Sequence, residues 1–441
     1  MSFEVASTPP STAAPECPGS MESFSVPLIH RLSPELLDKI LGNLNGSRED
    51  LAACTTVCKA WLPVCRYHLF AEVNYRPDFA RHIKTSTGGT HTTADTISSS
   101  IRRVNIKGPI EEESALADWI FRLPRLAELR VAQVNWSIPA LQLTPELPSL
   151  HRLLKLILRY VHLPSFSLLA SLFDLFPALE ELSLDNMSWD ALGRISGENA
   201  RNADATLQPS SLRKLYISYC HNRVLLNWLQ YGVVSDAVQT PDSCAHRSFP
   251  HLGALSLPDI MPEEEDIFGE FLASLGESLE YLDFGILVHE FDRRHTDDFS
   301  RLVSLSQNTG LKALEIHQIT LFQFPFPVQH SVSNSTPNPT HLSSDPVTFN
   351  TPYAWIASLL STLRSSFVES LTLHMWLSSE SQLDLLSWPD LCDVVARSTL
   401  WRMRFRVSGI GRNTESAEGW IRRRLRDLGS TGLTLEFEFS G

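Results

Sequence analysis

The chain is poor in the features that would fix a chemistry. Its 441 residues hold no apolar stretch of eighteen or more, so the sequence predicts no membrane span. The first twenty residues (MSFEVASTPPSTAAPECPGS) lack a basic start followed by an apolar run, which excludes a secretory signal there. Seven scattered cysteines, an odd number, do not make a disulfide framework and suit a reducing compartment, cytoplasmic or nuclear. Positive charge is in deficit: a net −13 argues against a nucleic-acid partner, because phosphate contact needs clustered Lys and Arg. Neither a GxSxG elbow nor a Walker loop occurs, and Gly409-Ile410-Gly411 is too short to cradle phosphate. The chain is therefore expected to be no enzyme and to need no cofactor.

What is there is mostly apolar periodicity. A pattern of apolar residues at i, i+3, i+5 and i+8 runs through Leu126/Leu129/Val131/Val134, Leu153/Leu156/Leu158/Val161, Leu179/Leu182/Leu184/Met187 and Leu212/Leu215/Ile217/Cys220. It continues through Leu252/Leu255/Leu257/Ile260, Leu279/Leu282/Phe284/Leu287, Leu311/Leu314/Ile316/Ile319 and Val368/Leu371/Leu373/Trp376. In a chain 43% hydrophobic such matches also arise by chance, so the pattern needs support. Successive units are 27, 26, 33, 40, 27, 32 and 57 residues apart, and the two longest steps contain the polar inserts 235–247 and 327–352. Pro124, Pro148, Pro177 and Pro250 each precede a unit by two to five residues and stop the preceding segment. Helical spacing fills the gaps at 167–176, 223–231, 266–276, 299–307, 353–363 and 420–429. Strand, loop and helix thus alternate, and each unit buries its apolar side only by stacking on its neighbours. Partial units at Ile101/Val104/Ile106 and Leu400/Met403/Phe405 and a closing strand at 433–439 extend the array. This block resembles leucine-rich repeats of the long, irregular kind, with Cys220 where that family places Asn or Cys.

Ahead of the array lies a short helical segment. Ser33-Pro34 is a hydroxyl cap followed by proline at the first helical position, and Leu36, Leu37, Ile40, Leu41 and Leu44 form one wide stripe. Ser47 and Asp50 predict a capping box for a second helix, with Leu51, Cys54, Thr55 and Cys58 on one face and Val57 and Trp61 on another. Two apolar faces exceed what so small a core needs. The run LSPELLDKILGNL…LAACTTVCKAWLPVCRYHLF resembles an F-box of the form common in fungi: Leu32, Glu35 and Leu36 match the opening of that motif, and Val57, Cys58 and Trp61 its later part. Ser33 stands where the motif has proline, with Pro34 one place later. The resemblance implies a Skp-family adaptor of the cullin scaffold as partner, bound through Leu32, Pro34, Leu36, Ile40, Leu44, Val57 and Trp61.

The expected organisation is a disordered tail (1–26), an F-box helical domain (27–72), a linker (73–99, with 84–100 a polar loop) and a solenoid (100–441) with a disordered insert near 327–352. The fold class is α/β, short helices followed by a leucine-rich-repeat-like solenoid with a curved parallel sheet. The resemblance implies substrate recognition for an SCF-type ubiquitin ligase, with an unknown protein as target. The alternative is a repeat interaction protein whose F-box is vestigial or independent of a ligase. A plainer reading of 27–72 is a helical cap on the array.

Parallel strands would display outward residues in rows on the concave face, and Arg130, Arg159, Tyr216, Tyr281, Asp283 and His317 are the candidate target-binding positions. No metal site is expected: Cys54, Cys58 and Cys65 read as small core residues, and His289-Glu290 with His295 misses HExxH spacing by one position. The acidic runs 111–113 and 263–266 read as complements to helix N-termini, and Arg422–Arg424 as a solvated helix face. Arg402, Arg404 and Arg406 are expected to meet Glu436 and Glu438 across neighbouring strands.

Overall fold

The structure, a computed structural model, describes residues 32–44, 46–86, 93–109, 116, 119–120, 122–135, 152–191, 211–231, 249–287, 299–321, 353–411, 413–426, 428 and 432–440. The expected disordered tail and the inserts at 235–247 and 327–352 lie outside these residues, as do the run 111–113, Pro148, His289, Glu290 and His295. The chain divides into two compact units, residues 1–69 and 70–441. Among the described residues no helix is long and apolar enough to cross a membrane.

The first unit is built on α1 (Pro34–Gly42), α2 (Arg48–Cys54) and α3 (Leu62–Phe70). The Ser33 Oγ accepts from Leu36 N at 3.4 Å and the Ser47 Oγ from Asp50 N at 3.3 Å, so both helices start where their hydroxyl caps stand. α2 is shorter than its apolar pattern suggests. Thr55 and Thr56 turn their hydroxyls back onto the carbonyls of Ala52 and Ala53, which leaves Val57 in a turn beyond the helix. Leu37, Leu41, Leu51 and Cys65 form the core, with Leu44, Cys54, Trp61, Val64 and Leu69 half-buried against it.

The second unit is a parallel sheet of twelve strands: β1 (Glu72–Asn74), β2 (Arg103–Lys107), β3 (Glu128–Ala132), β4 (Lys155–Arg159), β6 (Glu181–Asp185), β8 (Lys214–Ser218), β9 (Ala254–Ile260), β10 (Tyr281–Ile286), β11 (Ala313–Leu321), β12 (Ser370–Leu377), β13 (Arg402–Ser408) and β14 (Thr434–Ser440). They stand side by side in that order; β5 (His162–Ser165) and β7 (Ser188–Ala191) form a separate parallel pair. A parallel neighbour can be reached only by a crossover. The described crossovers include the helices α6 (Phe166–Leu175), α7 (Asn222–Tyr231), α8 (Glu265–Leu275), α9 (Ala354–Ser361), α10 (Trp388–Arg397) and α11 (Thr414–Arg424). The architecture is α/β, a solenoid of the leucine-rich-repeat kind. Its core is a single stack of the repeat leucines, such as Leu156, Leu182, Leu215, Leu255 and Leu282, with the helix residues Phe166, Phe268, Phe271 and Leu359.

One device locks the register at each joint from β1 to β13. A carbonyl at the entry of each strand accepts two successive N–H groups from the next: Arg102 O from Ala127 N (2.8 Å) and Glu128 N (2.9 Å), Ala127 O from Leu154 N and Lys155 N, and Gly253 O from Glu280 N and Tyr281 N. Because the same carbonyl serves each joint, leucines align with leucines along the stack (Leu156↔Leu182, Leu182↔Leu215, Leu215↔Leu255, Leu255↔Leu282).

The repeat pattern itself has a backbone cause. Strict alternation cannot place both i+5 and i+8 in the core, since they differ by three. In five of the eight units the residue at i+7 takes a positive φ: Gln133 (58°), Tyr160 (51°), Asn186 (53°), Tyr219 (49°) and Gln318 (57°). One left-handed residue reverses the parity, and Val134, Val161, Met187 and Ile319 return to the core. The last unit departs from expectation for want of this step. Met375 continues the strand, so it is buried together with Leu377, and Trp376 is turned out.

Two further expectations change. The supposed linker 73–99 supplies β1, which pairs with β2, and two helices, α4 (Pro77–Ser86) and α5 (Thr93–Ser100). Its Ser- and Thr-rich composition hides Tyr75, Phe79, Ala80 and Ile97, which pack on the core. α10 has no counterpart in the sequence reading, although it buries Trp388, Leu391 and Val395. Its signal is Ser387 with Pro389 in the first turn, although Ser387, unlike Ser33 of α1, makes no side-chain capping bond.

Candidate interaction surfaces

In the first unit the helix α1 divides its leucines between two sides. Leu37 and Leu41 go to the core, while Leu36 and Ile40, four apart, line the exposed side, and Leu32, just ahead of the helix, is exposed as well. Leu36 is 51% exposed and Val57 53%. Pro34 is exposed with them, and it also begins the helix. Leu44 and Trp61 lie half-buried against the unit's own core, which makes them structural as well as candidate contact residues. Cys65 is a core residue whose thiol burial pushes further from ionisation, with Cys54 packed beside it.

On the second unit the outward positions of the sheet are wired to one another. Arg103 Nε donates to Glu128 Oε2 at 2.5 Å and its Nη1 to Glu72 Oε2 at 2.6 Å, while Arg130 Nε donates to the other Glu128 oxygen at 2.7 Å. Burial raises the Glu128 carboxyl, but the two guanidinium groups outweigh it and hold the group below its ordinary range. Lys155 pairs with Glu181, and Arg159 reaches Asp185 at 3.8 Å. At the far end β13 and β14 run side by side with Arg404 opposite Glu436 and Arg406 opposite Glu438. Arg404 donates to Glu436 Oε2 through both Nε (2.9 Å) and Nη2 (2.7 Å), and Arg406 Nε donates to Glu438 at 2.5 Å. The expected arginine–glutamate ladder is present.

Of the predicted target-binding residues, Arg130 and Arg159 are therefore committed to ion pairs within the sheet. Tyr216, Tyr281, Asp283 and His317 converge on β8, β10 and β11. Burial, then Glu315 and Asp283, push the Tyr281 hydroxyl far above its ordinary range, and burial likewise raises Tyr216. Asp283 Oδ2 accepts from Ser256 Oγ at 2.7 Å. The sequence reading missed two residues that stand out more: Tyr160 (56% exposed) and Tyr219 (61% exposed), both held at positive φ. For a bulky residue that conformation is strained. The Tyr219 backbone is held by a buried carboxylate, since Asp259 Oδ2 accepts from Ser218 Oγ (2.7 Å) and Tyr219 N (3.3 Å) while Oδ1 takes the Gln318 amide. The signal was in the spacing: between i+5 and i+8 one residue must break the alternation.

The acidic run 263–266 complements the N-terminus of its own helix, where Glu265 and Asp266 occupy the first turn, and a neighbour's as well. Glu264 accepts from Arg223 N (3.1 Å) and Asn222 Nδ2 (3.0 Å) at the start of α7 as well as from Met261 N (3.0 Å), and burial raises its pKa.

No family model matches the chain, and no curated protein does. Among solved structures it is similar to a chain of the crystal structure of the Rad7 and Elc1 complex in yeast, at 13% identity over 92% of this chain and 91% of that one, with a TM-score of 0.35.

Proposed function

We propose that this chain is a substrate-recognition adaptor of a cullin-based, SCF-type ubiquitin ligase, acting by binding alone. In this reading residues 27–72 hold a Skp-family adaptor and the outward face of the sheet holds a target protein. One observation carries it: Leu32, Leu36, Ile40 and Val57 are left in solvent by a unit that has already closed a core with Leu37, Leu41, Leu51 and Cys65. These side chains are about half exposed, so covering the rest of each is worth roughly 1 kcal/mol, and such a set suits a partner. These are also positions that resemble the F-box motif. On the target side, Tyr160 and Tyr219 are the anchors that the reading favours, with Tyr216 and Tyr281 behind them. Exposed aromatic rings on a fixed backbone bind at low entropic cost.

The test is co-purification of the full chain with a Skp-family adaptor. Wild-type chain should retain the adaptor and Leu36→Asp should lose it, by roughly 30-fold or more in affinity, with the circular dichroism and melting of the rest unchanged. If wild-type chain retains no adaptor, the helical segment is a structural cap and the protein a repeat-based binder without ligase linkage.

A further inference from the structure

Three outward side chains on adjacent strands bring ligand atoms to one point. Glu315 and His317 alternate along β11, and His374 arrives from β12, 59 residues beyond Glu315. Glu315 Oε2 lies 3.1 Å from His374 Nε2 and 3.8 Å from His317 Nε2. The two imidazoles are stacked, with centroids 3.6 Å apart and planes at 23°, which presents both Nε2 edges to the same carboxylate. Gly285 makes room for the pair: a Cβ there would stand 2.3 Å from the Pro258 carbonyl and 3.0 Å from the His317 Cβ. All three residues are half-buried and are held in place by the sheet.

The hydrogen bonding within this group cannot be satisfied by its own members. His374 Nε2 faces Glu315 Oε2 at 3.1 Å and Arg406 Nη1 at 3.3 Å. With a proton, Nε2 suits the carboxylate and meets the guanidinium N–H head-on. Without one, it suits the guanidinium and confronts the carboxylate lone pairs. His317 Nε2 lies 2.6 Å from Asp283 Oδ1, but the ring N–H direction misses the oxygen, and both atoms are buried without a hydrogen bond. Two imidazole nitrogens and a carboxylate oxygen thus lie within 4.8 Å of one another, with a second carboxylate, Asp283, beside them.

We propose that Glu315, His317 and His374 form a binding site for a divalent ion of the zinc class. Two nitrogens and one oxygen are the ligand set such ions take, whereas Mg²⁺ and Ca²⁺ prefer oxygen alone. Around one zinc ion neighbouring ligand atoms sit roughly 3.3 Å apart. The three atoms here are within 4.8 Å of one another, so side-chain rotation closes the set without moving the strands. Arg406 is the competing cation: its Nη1 is 3.6 Å from Glu315 Oε2, while its Nε remains tied to Glu438. An ion replaces the Nη1 contact and leaves the Glu438 pair in place. This site stands apart from the ligase reading and does not depend on it.

The experiment is calorimetric titration of the full chain with Zn²⁺ alone after chelator treatment and dialysis, with Mg²⁺ as a parallel arm. The expected result is saturable uptake of one Zn²⁺ per chain that Mg²⁺ does not reproduce. His317→Ala with His374→Ala should weaken that uptake roughly 100-fold, and the near-isosteric Glu315→Gln, which keeps the packing, at least about tenfold. Arg406→Gln should tighten it by removing the competitor. The proposal is overturned if wild-type chain takes up no Zn²⁺ saturably, or if the same uptake survives in both Glu315→Gln and the double histidine variant. Equal uptake of Mg²⁺ also overturns it.

Discussion

Leu32, Leu36, Ile40 and Val57 are exposed on a unit whose buried core, among the described residues, is Leu37, Leu41, Leu51 and Cys65. On the sheet of residues 70–441 many outward side chains are instead paired with each other across strands, from Glu72–Arg103–Glu128–Arg130 to Arg404–Glu436. The small unit leaves apolar area unmatched, and the large one neutralises its own charges. The contrast separates two kinds of recognition. Unmatched apolar area gives affinity when covered, because water is released from it. A self-paired polar face offers little net charge to a partner, so its specificity falls to the side chains that the ladder leaves over, chiefly Tyr160 and Tyr219.

The comparison can be broken most sharply at the core of the small unit. Leu41 is fully buried, and Leu41→Ala should cost that unit about 3 kcal/mol. Chemical denaturation followed by a probe within residues 32–69 should show the early loss, whereas Leu36→Asp should melt like wild type. Trp61→Ala belongs with Leu41 rather than Leu36, since its ring is half-buried against the core.

A smaller effect is expected at the left-handed row. Tyr219→Gly and Tyr219→Ala remove the same ring, but only glycine takes φ 49° without strain. The glycine variant should be the more stable by about 1 kcal/mol in denaturant melts. Equal stability would mean that the conformation carries no strain, and would remove one reason for regarding Tyr219 as a functional position.

Acid should act on the sheet face through its carboxylates. The bond with His374, followed by the charges of His374 and Arg406, holds Glu315 below the ordinary value of 4.5. A carboxylate depressed in the folded state contributes stability that is fully present above 4.5 and is lost as pH falls through its folded value. Between pH 4.5 and pH 3 the urea midpoint of Glu315→Gln should therefore fall less than that of wild type. An identical fall would show that the pair adds nothing to the folded state. The smallest effect is expected from Arg404→Ala: half-buried at the sheet edge, its pair with Glu436 chiefly sets register, and the thermal midpoint should move little.

The sequence was most legible where burial repeats. Leu126 to Trp376 marked eight of the twelve strands because each strand must send its apolar side to the same stack, and the alternation of Arg402–Val407 with Thr434–Phe439 marked the last pair. It was least legible where a backbone conformation or a distant partner decides. The three-residue step from i+5 to i+8 contained the left-handed residue, yet alternation alone does not say which residue absorbs the change of parity. Segment 73–99 looked like a linker because its few apolar residues, Tyr75, Phe79 and Ile97, are spread through polar ones. His374 gave no signal as a partner of Glu315, since only the pairing of β11 with β12 brings them together.

The central claim is that the apolar side of α1 is a binding surface and not unused packing. It is tested most directly by the affinity of the full chain for a Skp-family adaptor, measured for wild type, Leu36→Asp and Ile40→Asp with melting curves of each. Wild type should bind and both variants should lose roughly 30-fold or more, with melting curves that overlay that of wild type. Undiminished binding by both variants would contradict the claim.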